Sequence, residues 1–378
     1  VRNFDDIRFY NDGEVNAALQ EYIQHPMIKA LLKYTFPDME YSEIQEVVMT
    51  CNSIQEFQTR IIYLTVDKVL DKTSEGLTDN GFDKLDSSES YFYISNHRDI
   101  ILDTSLINYT LYNHDLVMTA SAIGDNLVQK PFLMALSRLN RNFLVLRNQS
   151  PREMLKSSLK LSEYIRYLLL DEGRSVWMAQ REGRTKDGND HTQQGVLKML
   201  AMAKEKTDIL DYFSKIKIVP VAISYEFDPT DMLKMPEVLA KRMKEEYKKT
   251  ANEDFNSIMQ GALGSKGRIH LAAGDILTKA DFAEIRKNDL SVNDQLKEVA
   301  NLIDRSIYRN YELWPANYIA YDLLKNEERF AEFYSEKEKR KFERRISRRV
   351  DVKNPLALNS YLLMYANPVI NKMSLDEE

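Results

Sequence analysis

The sequence contains one cysteine, Cys51, among 378 residues. A lone thiol can form neither an internal disulfide nor a cysteine zinc cluster, so the chain is expected in a reducing compartment. Long apolar runs are missing too, none reaching the ~18 residues that crossing a bilayer requires. The first residues, VRNFDDIRFYNDGEV, lack the apolar core of a signal peptide. A cytoplasmic protein is expected, with any membrane contact peripheral and on the inner face. With 12 Gly and 10 Pro the chain is neither collagen-like nor low in complexity. Basic residues do not predominate: 52 Lys and Arg stand against 58 Asp and Glu, a net charge of −6, which argues against a general nucleic-acid binder. No GxSxG elbow, HExxH helix or GxxxxGK[ST] loop occurs. His25, His114, His191 and His270 are scattered without ligand spacing, so no metal is expected.

What is present is a 43% hydrophobic fraction, enough for a sizeable core, arranged in three sections. Residues 1–75 carry apolar positions at helical spacing, such as Leu19, Tyr22, Ile23 and Met27, Leu31, Leu32. The Gly-, Asp- and Ser-rich stretch Thr73–Asp86 reads as a linker. From 85 to 275, short apolar runs alternate with longer helical patterns. The expected strands are Tyr91–Ser95, Leu116–Ala122, Asn142–Leu146, Ser175–Ala179, Lys217–Tyr225 and Arg268–Ala273. The expected helices include Pro131–Leu139, Arg152–Leu170 and Gln194–Lys204, with Ser150 capping the second. This alternation implies an α/β fold, a mixed but mostly parallel sheet covered by helices. Residues 276–378 return to charged helix, Tyr311–Leu323 and Asn326–Arg349 being the clearest pieces, expected on or beside the core.

Two strands empty into polar turns. Tyr91–Asp103, YFYISNHRDIILD, puts Asn96, His97, Arg98, Asp99 and Asp103 at the carboxyl edge of the expected sheet, where open α/β folds bind ligands. A histidine beside a carboxylate is the minimum unit for general-base catalysis, although helix capping uses the same residues. Ser175–Gly188, SVWMAQREGRTKDG, sets Glu182, Arg184, Thr185 and Lys186 around Gly183, a chemistry suited to a phosphate or a phosphorylated alcohol, or to a solvated turn. Asn140–Arg147 ends a strand in Arg147, and Ile218–Ser224 reads as core, with Pro220 suited to an edge or a bend. The glycine-rich Gly261–Gly267 precedes a strand and reads as a loop.

In this order, NHRDIILD, NFLVLR, QREGRTKDG and IVPVAI resemble the four blocks of the glycerolipid acyltransferases, the glycerol-3-phosphate and lysophosphatidic acid acyltransferases, over roughly residues 90–225. The resemblance implies acyl transfer from acyl-CoA or acyl carrier protein to a hydroxyl of a lipid precursor, with no cofactor. His97 would be the general base and Asp103 or Asp99 its orienting carboxylate. Arg98, Arg147, Glu182, Gly183, Arg184 and Thr185 would bind substrate, the arginines taking the acceptor's anionic group. Two departures mark a divergent branch: five residues separate His97 from Asp103, one more than the family's usual spacing, and Glu182-Gly183-Arg184 is one residue short. An N- or O-acyltransferase with an amino-acid or aminolipid acceptor is the alternative, and a non-catalytic lipid-binding protein is the alternative of another class. Glu336–Arg349, with eight Lys or Arg against three Glu, is the segment expected to rest on an anionic membrane if it is more than a solvated helix.

Overall fold

The computed structural model describes residues 3–376. Seven strands form one sheet in the order β1-β7-β6-β2-β5-β3-β4. They are β1 Ser74–Asn80, β2 Phe92–Ser95, β3 Ala120–Gly124, β4 Asn142–Val145, β5 Val176–Ala179, β6 Ile218–Tyr225 and β7 Gly267–Ala273. Five of the six pairings are parallel and β6 with β7 is antiparallel, so the fold is α/β with a mostly parallel sheet. Every residue of β2 and β6 is buried, as strands covered on both faces must be.

Alternate side chains feed two cores. Phe92, Ile94, Val176 and Met178 join one cluster with the helices Pro151–Leu170, Gln194–Ala201 and Val292–Arg309. Tyr93, Trp177, Val219 and Val221 face the other way, onto the helices Tyr63–Thr73 and Leu102–Asn113. The N-terminal helices form a cluster around buried Cys51. The C-terminal helices Pro315–Lys325, Glu336–Arg349 and Pro355–Met373 pack on one another and on Phe227 and Met235.

Several sequence expectations are revised. Residues 74–80, expected as linker, form the edge strand β1, because backbone pairing with β7 does not require an apolar sequence where most side chains face water. β3 begins at Ala120 rather than Leu116, after Asp115 turns the chain at φ 55°. Pro220 lies inside central β6, where its carbonyl accepts from Gly274, one residue past the end of β7. Gly261 is not in a loop but in the helix Glu253–Leu263, where an added Cβ would come within 2.0 Å of Asp99 Oδ2. The charged segment starts as helix only at Glu336, after a short 3-10 turn at Ala331–Phe333.

Candidate functional site

The loops after β2, β5, β6 and β4 leave the same carboxyl edge of the sheet and bring the singled-out residues together. Asn96 continues β2 with its side chain: Nδ2 donates to the Ile223 carbonyl (2.9 Å) and Oδ1 accepts from the Ile223 amide (2.8 Å). That clamp fixes the next residue, His97, against β6. His97 Nδ1 lies 2.8 Å from Asp103 Oδ2, which also accepts from the amides of Arg98 (2.6 Å) and Asp99 (3.0 Å). Backbone amides can only donate, so this oxygen is an acceptor and Nδ1 donates to it; in the neutral ring that tautomer puts the lone pair on Nε2. The His97 side chain is 14% exposed and stands edge-on to Trp177, ring centroids 5.7 Å apart. The Asp103 carboxylate is fully buried, and its Oδ1 accepts from the Tyr225 hydroxyl at 3.0 Å.

Asp99 does not touch His97. Its Oδ1 accepts from the amides of Ile101 (3.0 Å) and Leu102 (2.9 Å), which starts the helix Leu102–Asn113, and its Oδ2 is buried without a hydrogen bond. Burial, and then the charge of Asp103, pushes the Asp99 carboxyl above the ordinary carboxylate range.

Arg98, expected to hold substrate, is engaged inside the protein. Its Nη2 pairs with buried Asp190 at 2.6 Å, and Asp190 also takes the Tyr311 hydroxyl and Asn96 Nδ2. Thr185 donates its amide to the His97 carbonyl (2.8 Å), while its hydroxyl is buried without a partner. The two turns are thus tied together. Glu182 pairs with Arg147 across the site rim, and Arg184 Nη1 reaches Thr230 Oγ1 at 3.4 Å. Gly183 has φ +69°, the left-handed conformation that glycine adopts without strain, and an added Cβ would meet open space.

The turn after β6, Glu226–Asp231, belongs to the same site, although the sequence reading of Ile218–Ser224 as core places no site residue there. The available signal was the one used for the other turns, a buried strand emptying into EFDPTD. Buried Lys234 pairs with Asp228 and donates to the Arg98 carbonyl at 2.8 Å. Burial lowers the Lys234 pKa against the pull of Asp228; burial would raise Asp228, but Lys234 and Thr230 outweigh it and hold it below the ordinary carboxylate range. Asp231, fully buried, accepts from Arg345 Nε (2.9 Å), Tyr361 (2.6 Å) and Tyr365 (2.8 Å), with Arg349 at 3.5 Å. Two of the arginines expected to face a membrane therefore point into the protein, and Phe342 and Ile346 of the same helix are buried.

Beside the histidine loop lies an apolar cavity of ≈ 430 Å³. Ile100, Ile101 and Leu102, the residues between Asp99 and Asp103, form part of its wall. The rest comes from the helices Pro26–Thr35, Tyr63–Thr73, Leu102–Asn113, Pro131–Leu139 and Glu253–Leu263, through side chains such as Leu31, Val66, Leu133 and Met259. Its volume is that of a small-molecule site. Among the described residues, no group of three His, Cys, Asp or Glu is placed to hold a metal ion, and no helix is long and apolar enough to cross a membrane.

Fold and site together are those of an α/β enzyme. Residues 76–224 match the sequence profile of the family described as Acyltransferase, a stretch that contains His97, Asp103, Arg147, Glu182 and Arg184 and ends before the turn Glu226–Asp231. This part of the chain is an acyltransferase domain, in agreement with the four glycerolipid-acyltransferase blocks, and the chain is an acyltransferase. No curated protein matches the chain. Among solved structures, it is similar to the 1-acyl-sn-glycerophosphate (LPA) acyltransferase PlsC from Thermotoga maritima. The identity is 13% and the TM-score 0.35, over 80% of this chain and 97% of that one.

Proposed function

We propose that the chain transfers a fatty acyl group from acyl-CoA or acyl carrier protein to a hydroxyl of glycerol 3-phosphate or a lysophospholipid, with His97 as general base and no metal or prosthetic group. The observation that carries this reading is the apolar cavity beside the His97–Asp103 pair, part of whose wall is Ile100, Ile101 and Leu102 from the segment between the two residues. A thioester whose alkyl chain fills the cavity would have its carbonyl near His97. His97 Nε2 takes the proton of the acceptor hydroxyl as its oxygen attacks the thioester carbon. The tetrahedral adduct then expels the thiolate, which recovers the proton from the imidazolium. Asp103 stabilises that imidazolium and holds the tautomer that leaves Nε2 basic.

Arg184 and Arg147 are the cations that would receive the acceptor's phosphate, and Glu182 would orient a hydroxyl or release Arg147 to the anion. Arg98, neutralised by Asp190, supports the loop instead. A lysophospholipid acceptor would bring the enzyme to a membrane surface. The test is mass spectrometry of products after incubation with acyl-CoA and a panel of acceptors, His97→Ala serving as control. Esters of the phosphorylated alcohols support the reading. Amides of an amino-acid or aminolipid acceptor would replace the acceptor, and absence of any thioester turnover would leave a lipid-binding protein.

A further inference from the structure

The helix Pro151–Leu170 is only half docked. Its first buried residue is Leu161, so the preceding ten positions, about 15 Å of helix, carry no buried side chain. The stripe that is buried further on at Leu161, Ile165 and Leu168 continues outward through Met154, which is 55% exposed. Next to it, Leu155 and Leu159 are 64% and 41% exposed. Arg152 and Lys156, one turn apart and both exposed, line the flank of this apolar strip. Over residues 151–160 the charges are Arg152, Lys156 and Lys160 against Glu153 alone. Glu153 is turned back to cap the helix, accepting from the amide and hydroxyl of Ser150, and Lys160 is paired with Asp6.

The position matters as much as the composition. The helix follows directly on β4 and Arg147, and Arg147 pairs with Glu182 at the rim of the site. Its free end therefore stands on the same sheet edge as His97. We infer that this overhanging half-helix is the surface on which the enzyme rests on an anionic bilayer, with Met154, Leu155 and Leu159 among the acyl chains and Arg152 and Lys156 among the headgroups. Exposed apolar side chains interleaved with cations suit a lipid interface better than a polar protein surface. The inference rests on the lipid-precursor reading of the acceptor. It shifts the contact away from Glu336–Arg349, whose Arg345 and Arg349 serve Asp231.

The test is co-sedimentation with vesicles of phosphatidylcholine alone or mixed equally with phosphatidylglycerol, at low and high salt. The wild type is compared with the triple variant M154Q/L155Q/L159Q, the pair R152Q/K156Q and the control R340Q/R344Q/R348Q. The expected result is binding to the anionic vesicles only, weakened about tenfold or more in the first two variants and unchanged in the control, with salt abolishing it. Turnover of a soluble acyl-CoA and soluble acceptor should be unchanged in all of them, so loss of turnover in the wild type would fail the functional reading and not this one. Binding that follows the control variant instead, or no wild-type binding, overturns the assignment. So does a defect seen only with acyl carrier protein as donor, which would make the strip a carrier-docking face. A wild-type dimer that the triple variant dissolves would make it a face between two copies.

Discussion

The Tyr225 hydroxyl donates to Asp103 Oδ1 at 3.0 Å, the carboxylate oxygen opposite the one that meets His97. β6 therefore holds Asp103 from one side while the loop amides hold it from the other. Both Tyr225 and Asp103 are buried, so no solvent can replace the bond if it is lost. Tyr225→Phe should destabilise the protein by ~1–3 kcal/mol through the unsatisfied Oδ1. It should also lower kcat several-fold while leaving the acceptor KM unchanged. Urea unfolding and steady-state kinetics check both; an unaltered kcat would confine Tyr225 to a packing role.

His97→Ala should lower kcat by about 10²–10⁴-fold with little change in thermal unfolding, since the imidazole takes a proton and does not fill the core. Asp103→Asn should approach that loss, and Asp99→Asn should stay within a few-fold of wild type, because only Asp103 meets the ring. The reverse ranking of the two aspartates would move the orienting role to Asp99.

Asp99 should instead show itself in the pH dependence of stability. Its native pKa is raised by burial and then by Asp103, so the native state keeps a proton that the unfolded chain releases near pH ~3.9. The stability contributed by that proton is complete below the unfolded value and is lost as pH rises through the native one. Unfolding free energies between about pH 4 and pH 7 should therefore fall less steeply in Asp99→Asn than in wild type. Parallel curves would show that Asp99 ionises normally in the fold.

Lys234 and Asp228 form a buried pair that also carries the Arg98 carbonyl. Lys234→Met leaves Asp228 unpaired and should cost ~3–5 kcal/mol, with the double change Lys234→Met/Asp228→Asn recovering much of it. Failure of the double variant to recover would mean that the bond to the Arg98 carbonyl, rather than the charge pair, dominates.

Arg184→Ala should raise the acceptor KM or lower kcat with little effect on the donor KM, a charged hydrogen bond being worth ~1.5–3 kcal/mol. Lysine should restore part of the loss, lacking the fork. Ala262→Phe, set in the cavity wall, should shift the acyl preference toward shorter chains at unchanged acceptor KM. Product profiles from a mixture of acyl-CoA lengths decide this, and an unshifted profile would place the chain elsewhere.

The α/β class and the strands β2, β5 and β6 were legible in the sequence because fully buried strands must be continuous apolar runs, and such runs end visibly where the chain meets a polar turn. The same signal marked His97 and Glu182. Both departures from the family spacing also stood in the sequence, but not their resolution: five residues lie between His97 and Asp103, and the helix start at Leu102 brings the carboxylate back to the ring.

Strand β1 was invisible because an edge strand facing water needs no apolar period, only a partner, and that partner is β7, nearly two hundred positions away. The fates of the charges were equally hidden. Arg98 read as a ligand-binding cation and Arg345 as a membrane-facing one, yet each ends on a buried carboxylate, Asp190 or Asp231, from a distant part of the chain. Local sequence determined which groups stand at strand ends, since hydrophobic runs and turns are local properties. Only the tertiary structure decided which charges are spent inside and which stay free, because pairing depends on distances between residues that are far apart in the chain.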